Sequence, residues 1–450
     1  MSQRLFEVKE HVFDGQHIRE YPRATAHSQE DVLQLCAKQY IPRSNPKPQP
    51  GDVTIIAAHA NGFVKELYEP LWDDLLAISE KHGFRIRSIW IADVAWQGQS
   101  GLLNEANLGN DPSWYDHSRD LLQMINTFRR EMPRPLVGIG HSFGGTLIAN
   151  LALMHPRLFT TLVLLDPVLN LRFIDPASGV SPLELSAVRR EVWPSRETAA
   201  ASFRRSKFYA AWDPRVLDAW IQYGLKDLPS KWFPDAAAAM ASISSKKDKG
   251  AGDPSSKDEN DHGNKSPPVT LTTTKHQEVF TFMRPLLQGV DLKTGRRIFN
   301  RQRLPDISDD SIAGFGANKL YRPEVPNTAR QLPHLRPSVC YIFGGTSVMS
   351  TPELRKEKME LTGVGVGGSG GQAAGRVREV VLEETGHLVA MDLPTVCAEH
   401  AASWIGRELG LWREEERELE AGWWARSDEQ KQTIDAEWSS FIAQKPKPRL

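Results

Sequence analysis

LVGIGHSFGGTLIA, residues 136–149, reads as a short apolar strand, a sharp turn, and the start of a helix packed through small residues. Inside it, Gly140-His141-Ser142-Phe143-Gly144 matches G-x-S-x-G. A serine on a tight strand-to-helix turn is pushed out of the sheet with its Oγ exposed. The glycines two before and two after it leave room for strained dihedrals and close helix–strand approach. The helix N-terminus behind it aims backbone N–H groups at the place where negative charge would develop. Ser142 is therefore the candidate nucleophile.

The neighbouring segments supply the sheet that such a turn needs. Residues 53–58, VTIIAA, form a continuous apolar run, as a central parallel strand should. Further strands are expected at 85–92, 135–140 and 161–165, with helical patterns at 68–82 and 111–130 between them; Pro112 suits the first turn of the second helix. Residues 5–13 alternate apolar and polar and end at the turn signal Asp14-Gly15, with a returning strand at 31–40. This succession predicts an α/β fold with a mostly parallel twisted sheet and helices on both faces.

From about residue 171 to 335 the strand pattern stops. Helices are expected at 182–196, 214–223 and 274–283. Asp213 would cap the second and Gly224 end it, while Thr274 and Gln277 are spaced for a capping box on the third. Residues 244–268 carry almost no apolar residue and are expected to be disordered. The strands resume at 338–343 and 378–382, separated by a glycine-rich loop at 361–375 and followed by a helix at 393–406. The organisation read from this is a core in two parts, 1–170 and 336–410. A helical lid, 171–335, is inserted between the sixth and seventh strands. A charged helical extension, 411–450, carries Trp412, Trp423, Trp424 and Trp438 and is expected to wrap the outside of the domain.

Bulk properties exclude several classes. Among 450 residues, Lys plus Arg number 55 and Asp plus Glu 56, so there is no global basic field and nucleic acid is not an expected partner. No long apolar run is present, so no membrane span is expected. The N-terminus, MSQRLFEVKEHVF, carries charges too early for a secretory signal. Cys36, Cys340 and Cys397 form no C-x-x-C pair and read as buried reduced thiols. The chain has no H-E-x-x-H and no Cys/His cluster, and neither a metal nor a nucleotide cofactor is indicated.

A serine hydroxyl needs a base within hydrogen-bond reach, and the base needs an orienting acid. On this kind of sheet the chain order is serine, acid, histidine. His387 follows the last expected strand in a loop on the same edge as Ser142 and is the candidate base. The usual position for the acid follows the next-to-last strand, and there the chain reads Phe343-Gly344-Gly345-Thr346-Ser347. Serine cannot hold an imidazolium by charge. Asp166, at the carboxyl end of the strand after the elbow, is the candidate acid, with Glu353 the alternative. Phe63, in the His59-Ala60-Asn61-Gly62-Phe63 loop, and Phe143 are the candidate oxyanion N–H donors. His59 reads as structural, Asp116-His117 as a helix-start charge and a satisfied histidine, His276 as a surface residue, and Lys65-Glu66 as an ion pair.

These residues resemble the α/β-hydrolase superfamily. More narrowly, HANGFVKELYEPLW, SWYDHSRDLL, GHSFGG, LVLLDP, FYAAWDPRVLDAWIQYGLKDLP, TTTKHQEVF, YIFGGTS and ETGHLVAMDLP resemble fungal peroxisomal α/β-hydrolases. That group includes a peroxisomal lipase and hydrolases of host-selective toxin biosynthesis. The resemblance implies Ser142 as nucleophile, His387 as base, and Asp166 as the acid of members whose acid follows the sixth strand. The last residues, Pro448-Arg449-Leu450, resemble a peroxisomal address of the S-K-L class, although Pro departs from the usual small residue. They imply a peroxisomal import receptor as a partner; without it the chain would be cytoplasmic.

The expected activity is hydrolysis of a carboxylic ester or thioester with an apolar acyl group, through an acyl-serine intermediate. Two rivals stay open at this point. One is a ligand-binding or scaffold protein that keeps the site without using it, a reading that Ser347 favours. The other is acyl transfer to an alcohol or amine in secondary-metabolite biosynthesis.

Overall fold

Val53–Ala58 and Leu136–His141 bear apolar or small residues almost throughout, and every residue of both is buried. Strands of this kind need cover on both faces. Successive side chains leave a strand on opposite sides, and the two cores follow that alternation. Ile55, Ala57, Val137 and Ile139 pack in one; Ile56, Ala58 and Leu136 pack in the other.

The computed structural model describes residues 2–171, 181–247, 266–285, 291, 293–296, 304–307 and 320–443. One sheet holds β1 (Phe6–Asp14), β2 (Gln34–Pro42), β3 (Val53–Ala58), β4 (Ile86–Ala92), β5 (Leu136–His141), β6 (Thr161–Leu165), β7 (Ser338–Gly344) and β8 (Val377–Leu382). Their order is β1-β2-β4-β3-β5-β6-β7-β8. β1 and β2 join antiparallel at one edge, β2 also runs antiparallel to β4, and the remaining pairs are parallel. Helices α1 (Glu69–Ser79) and α4 (Pro394–Leu419) cover one face with Leu71, Trp72, Leu75, Ala401 and Ile405. Helices α2 (Trp114–Thr127) and α3 (Phe143–Met154) cover the other with Leu121, Met124, Leu147 and Leu151.

The strand order reverses at β3, which has β4 on one side and β5 on the other. In an open parallel sheet, the crevice at the carboxyl ends of the strands beside such a reversal is where ligands bind. The loop after β3 and the turn after β5 are thereby neighbours before any side chain is considered.

Several boundaries differ from the sequence expectation. α2 starts at Trp114 rather than at 111, because Ser113 caps it by accepting from the Tyr115 N–H, while Asp111 turns away to pair with Arg284 at 2.6 Å. Past β4, before α2, the chain forms a further short helix, Gly98–Leu103, whose Gln99 N–H donates to the Asp93 carboxylate. Between β6 and β7 the chain is not purely helical. Val192–Trp193, Leu225–Asp227 and Val269–Leu271 form a small antiparallel sheet, which stops the helix begun at Pro182 at Val188. Thr274 caps Lys275–Phe282 by accepting the Gln277 N–H, whereas the Gln277 side chain donates to the Gly109 carbonyl. Asp213 caps Pro214–Tyr223 as expected, and Gly224 follows it.

Of the polar stretch 244–268, residues 244–247 belong to the helix Ala236–Lys247, and the Pro268 carbonyl accepts from Leu228. Residues 248–265 lie outside the described residues. In the glycine-rich 361–375, Leu361 ends the helix Pro352–Leu361 and Gln372–Ala374 makes a 3-10 turn; the rest is a loop held by backbone bonds, Gly363 N–H to Leu332 O and Gly370 N–H to Gly363 O. α4 runs well beyond 406. Past it, Trp423, Trp424 and Trp438 are 39%, 58% and 62% exposed, so this part of the extension does not lie against the domain as expected. Among the described residues no helix is long and apolar enough to cross a membrane. The three cysteines are buried and free.

Candidate active site

β5 ends at His141, and α3 begins at Phe143. Ser142 alone makes the turn, with φ 58° and ψ −121°, a backbone region that side-chain-bearing residues rarely occupy. The turn closes because its glycines have no Cβ. One on Gly140 would meet the Gly144 carbonyl oxygen, and one on Gly144 would meet the Ala58 carbonyl oxygen. The conformation is pinned by Ser142 N–H to Leu165 O at 2.9 Å and Val168 N–H to Ser142 O at 3.1 Å. Ser142 remains 7% exposed.

His387 comes from the loop after β8, with its side chain 27% exposed. Its Nε2 lies 2.7 Å from Ser142 Oγ, and its Nδ1 lies 2.6 Å from Asp166 Oδ2. Asp166 is fully buried at the end of β6, with φ 41°. Its Oδ1 accepts the Gly344 N–H at 3.0 Å, and its Oδ2 also accepts the Ser347 hydroxyl at 2.6 Å. Burial pushes this carboxyl up. The bond to His387, that ring's charge and the Ser347 hydroxyl outweigh burial and hold it below the ordinary carboxylate value.

The residues are brought together by an absence of side chain. Asp166 follows β6 and His387 follows β8, with β7 between them. At the end of β7, a Cβ on Gly344 would collide with the Gly386 carbonyl oxygen, and one on Gly345 with the Glu383 carbonyl oxygen. The glycine pair lets the His387 loop fold over the strand end toward Asp166. The Gly-Gly dipeptide was visible in the sequence; its role was not, because it lies in close approach to the backbone of Glu383 and Gly386, far along the chain. Ser347 likewise has a role that sequence reasoning missed. It is a hydrogen-bond donor to the displaced carboxylate. Glu353, the alternative acid, is exposed and accepts from Thr351, away from His387.

The oxyanion candidates differ from each other. Phe143 heads α3, where the first N–H groups have no intrahelical acceptor. The N–H of Phe63, an expected oxyanion donor, turns back to the Ala60 carbonyl at 3.3 Å, a long bond. The rest of that loop is tied down by the insert. Gly62 N–H donates to Gln97 Oε1, and Gln97 Nε2 donates to Asn61 Oδ1 and to the Thr281 hydroxyl; Asn61 Nδ2 donates to Glu278 O. The Phe63 ring packs edge-on against Trp212, centroids 5.4 Å apart, and beside Trp220.

The weaker candidates fall outside the site's chemistry. His59 is buried, bonded to the Ala60 carbonyl and accepting the Val94 N–H. His276 is exposed, and Lys65 pairs with both Glu66 and Asp93. Asp116 is buried with one oxygen unbonded, and burial, only partly offset by Arg19, lifts its carboxyl to about 7. An unfolded aspartate ionises near 4. Between those values the folded state holds a proton that the unfolded state has lost, so stability falls as pH rises through this window. Asp116→Asn cannot ionise. The variant's Tm relative to wild type is expected to rise by a few degrees from pH 5 to pH 8, measured calorimetrically; a pH-independent difference would contradict the assignment.

The sequence model of the Alpha/beta hydrolase family matches residues 55–400. The chain belongs to the alpha/beta hydrolase family. A relative in this family, the "Type I acyl-CoA thioesterase mpaH'" of Penicillium brevicompactum, is 42% identical over 100% of this chain and 97% of its own length. A shorter match is the "Abhydrolase domain-containing protein ACTT2-1" of Alternaria alternata, 27% identical over 62% of this chain and 87% of its own. Among solved structures, the peroxisomal alpha-beta-hydrolase Lpx1 of Saccharomyces cerevisiae superposes with TM-score 0.62 at 15% identity, covering 98% of this chain and 96% of that one. At that identity the likeness concerns the alpha/beta hydrolase fold.

Proposed function

We propose that this alpha/beta hydrolase cleaves an acyl thioester of the acyl-CoA class, whose acyl part is apolar, through an acyl-serine intermediate. By family and by its relatives the chain is an ester or thioester hydrolase. The observation that carries the mechanism is the hydrogen-bonded run Ser142 Oγ, His387, Asp166 at 2.7 and 2.6 Å. Ser142 attacks the acyl carbon while His387 takes its proton; Asp166 holds the ring and its developing charge. The Phe143 N–H, and the Phe63 N–H once shared with or released from Ala60, receive the oxyanion. His387 returns the proton to the departing thiolate. Water then repeats the attack, and Ser142 leaves.

The thioester preference rests on relatives such as the Penicillium enzymes, named acyl-CoA thioesterases. The apolar acyl group rests on the aromatic cluster of the insert, where Trp212 and Trp220 adjoin Phe63 and Tyr209 packs on both tryptophans. In this reading the insert acts as a lid. Acyl-CoA and p-nitrophenyl esters of matched and graded acyl length give the test. The expected result is a higher kcat/KM for the thioester of each pair, rising with apolar acyl size. Hydrolysis of oxygen esters alone would overturn the reading.

The peroxisomal reading stands on Pro448-Arg449-Leu450, which lie outside the described residues. A fluorescent fusion ending in these residues should co-localise with peroxisomes and disperse when they are removed; equal distributions would refute it.

A further inference from the structure

His141, the residue between glycine and serine in the G-x-S-x-G turn, is fully buried and has no part in the chemistry above. Its two ring nitrogens face different groups. Nε2 lies 3.1 Å from the backbone carbonyl oxygen of His387, and Nδ1 lies 2.9 Å from the Tyr68 hydroxyl. That hydroxyl in turn accepts the Ala60 N–H at 2.8 Å. The four groups form one run from the loop after β3 to the loop after β8.

The proton positions in this run follow from what each group can do. A carbonyl oxygen only accepts, so His141 Nε2 must carry a hydrogen. Burial, followed by the neighbouring His387 ring, lowers the His141 pKa to about 3, with Asp166 and the His387 carbonyl opposing and His59 assisting. The ring is therefore neutral and Nδ1 is bare. Tyr68 must then donate to Nδ1, which leaves its oxygen free to accept from Ala60. All donors point the same way: Ala60 to Tyr68, Tyr68 to His141, His141 to His387. No other arrangement satisfies every member.

We propose that Tyr68 and His141 are positioning residues that fix the main chain of the base relative to the nucleophile. The peptide carrying Ser142 begins at His141, so the residue next to the nucleophile grips the carbonyl of the base itself. The opposite side of the His387 loop is held by the turn after β7, through Gly345 N–H to Leu382 O and Thr346 N–H to Thr385 O. The His141 bond instead reaches the main chain of His387 itself. Misplacing a reacting group by about 1 Å costs on the order of 10²-fold in rate. Because His141 stays neutral, it adds no positive charge beside the imidazolium that His387 becomes during turnover. The same run reaches Ala60, whose carbonyl holds the Phe63 N–H, so it couples the base's loop to the oxyanion loop.

The inference rests on His387 being the base, and the experiment separates the two claims. Wild type, Tyr68→Phe, His141→Leu, His141→Gln and Tyr68→Phe/His141→Leu are compared for kcat, KM and the rate of fluorophosphonate reaction at Ser142. All rates are normalised to folded protein. Tyr68→Phe keeps the ring and removes only the hydroxyl. A fall in kcat of about tenfold is expected for it, and of about 10- to 100-fold for His141→Leu, with KM within about twofold of wild type. Glutamine can still donate to the His387 carbonyl, so His141→Gln should recover most of the loss. The double variant should be no slower than His141→Leu, because both changes break the same run. A wild-type protein that is not labelled at Ser142 would refute the acyl-serine reading. A labelled wild type with variants reacting at the wild-type rate, with additive losses, or with a glutamine variant as slow as leucine would refute the positioning role alone.

Discussion

Asp166→Asn is expected to lower kcat by about 10⁴-fold while KM changes little. The surroundings of the carboxylate dictate this, because the replacement amide can adopt only one orientation. Oδ1 accepts the Gly344 N–H, so the amide oxygen must stay there, and the amide nitrogen takes the place of Oδ2. That position faces His387 Nδ1 at 2.6 Å. An amide N–H donating to Nδ1 forces the imidazole proton onto Nε2, opposite Ser142 Oγ. The base then presents a donor to a hydroxyl that must lose its proton. Ser347 does not resist the change, since its oxygen can accept from the new amide as readily as it now donates. Steady-state hydrolysis checks the effect, and unaltered Tm confirms that folding is intact. A loss of less than tenfold would show that Asp166 does not orient the base.

Ser142→Ala is expected to remove about 10⁶-fold of kcat, and the Ser142→Ala/His387→Ala double variant no more than that. A nucleophile and its base act as one unit, so removing the second member after the first costs nothing further. The residual rate reports the oxyanion donors and substrate binding, which neither substitution touches. Independent, multiplying losses would mean that the two residues serve separate steps. Both predictions exceed the expected effects at Tyr68 and His141, since those residues act through the position of another group.

The fold was legible because the strands are continuously apolar and the elbow's glycines have a single use. VTIIAA and LVGIGH are buried on both faces, so periodicity and burial agree, and their boundaries moved by a residue at most. The helix starts were less legible. Pro112 drew α2 toward 111, whereas the Ser113 hydroxyl and the Asp111–Arg284 pair put its start at Trp114. The insert misled for a related reason. Val192–Trp193 and Val269–Leu271 are too short to show alternation, and their pairing is long-range, so only tertiary contact makes them strands.

At the site, Ser142 and His387 could be placed from motif and chain order, and Asp166 from its strand end. What holds them could not be read. Ser347 looked like a deficit because its side chain cannot carry charge; it is a donor to a carboxylate one strand away. Gly344 matters for an atom it lacks, and His141 matters through a bond to another residue's backbone. Neither leaves a pattern along the chain. Phe63 was expected to supply an oxyanion N–H; Gly62, with φ +80°, turns the chain so that this N–H bonds back to Ala60.

The most direct test is to catch the covalent intermediate. Wild-type protein is mixed with an acyl-CoA thioester, quenched in acid within the first turnovers, and weighed intact before peptide mapping. The account predicts a mass increase of one acyl group, mapped to the peptide bearing Ser142, present in wild type and absent from Ser142→Ala and His387→Ala. Product formed at full rate with no adduct on Ser142, or with the acyl group on another residue, would contradict it.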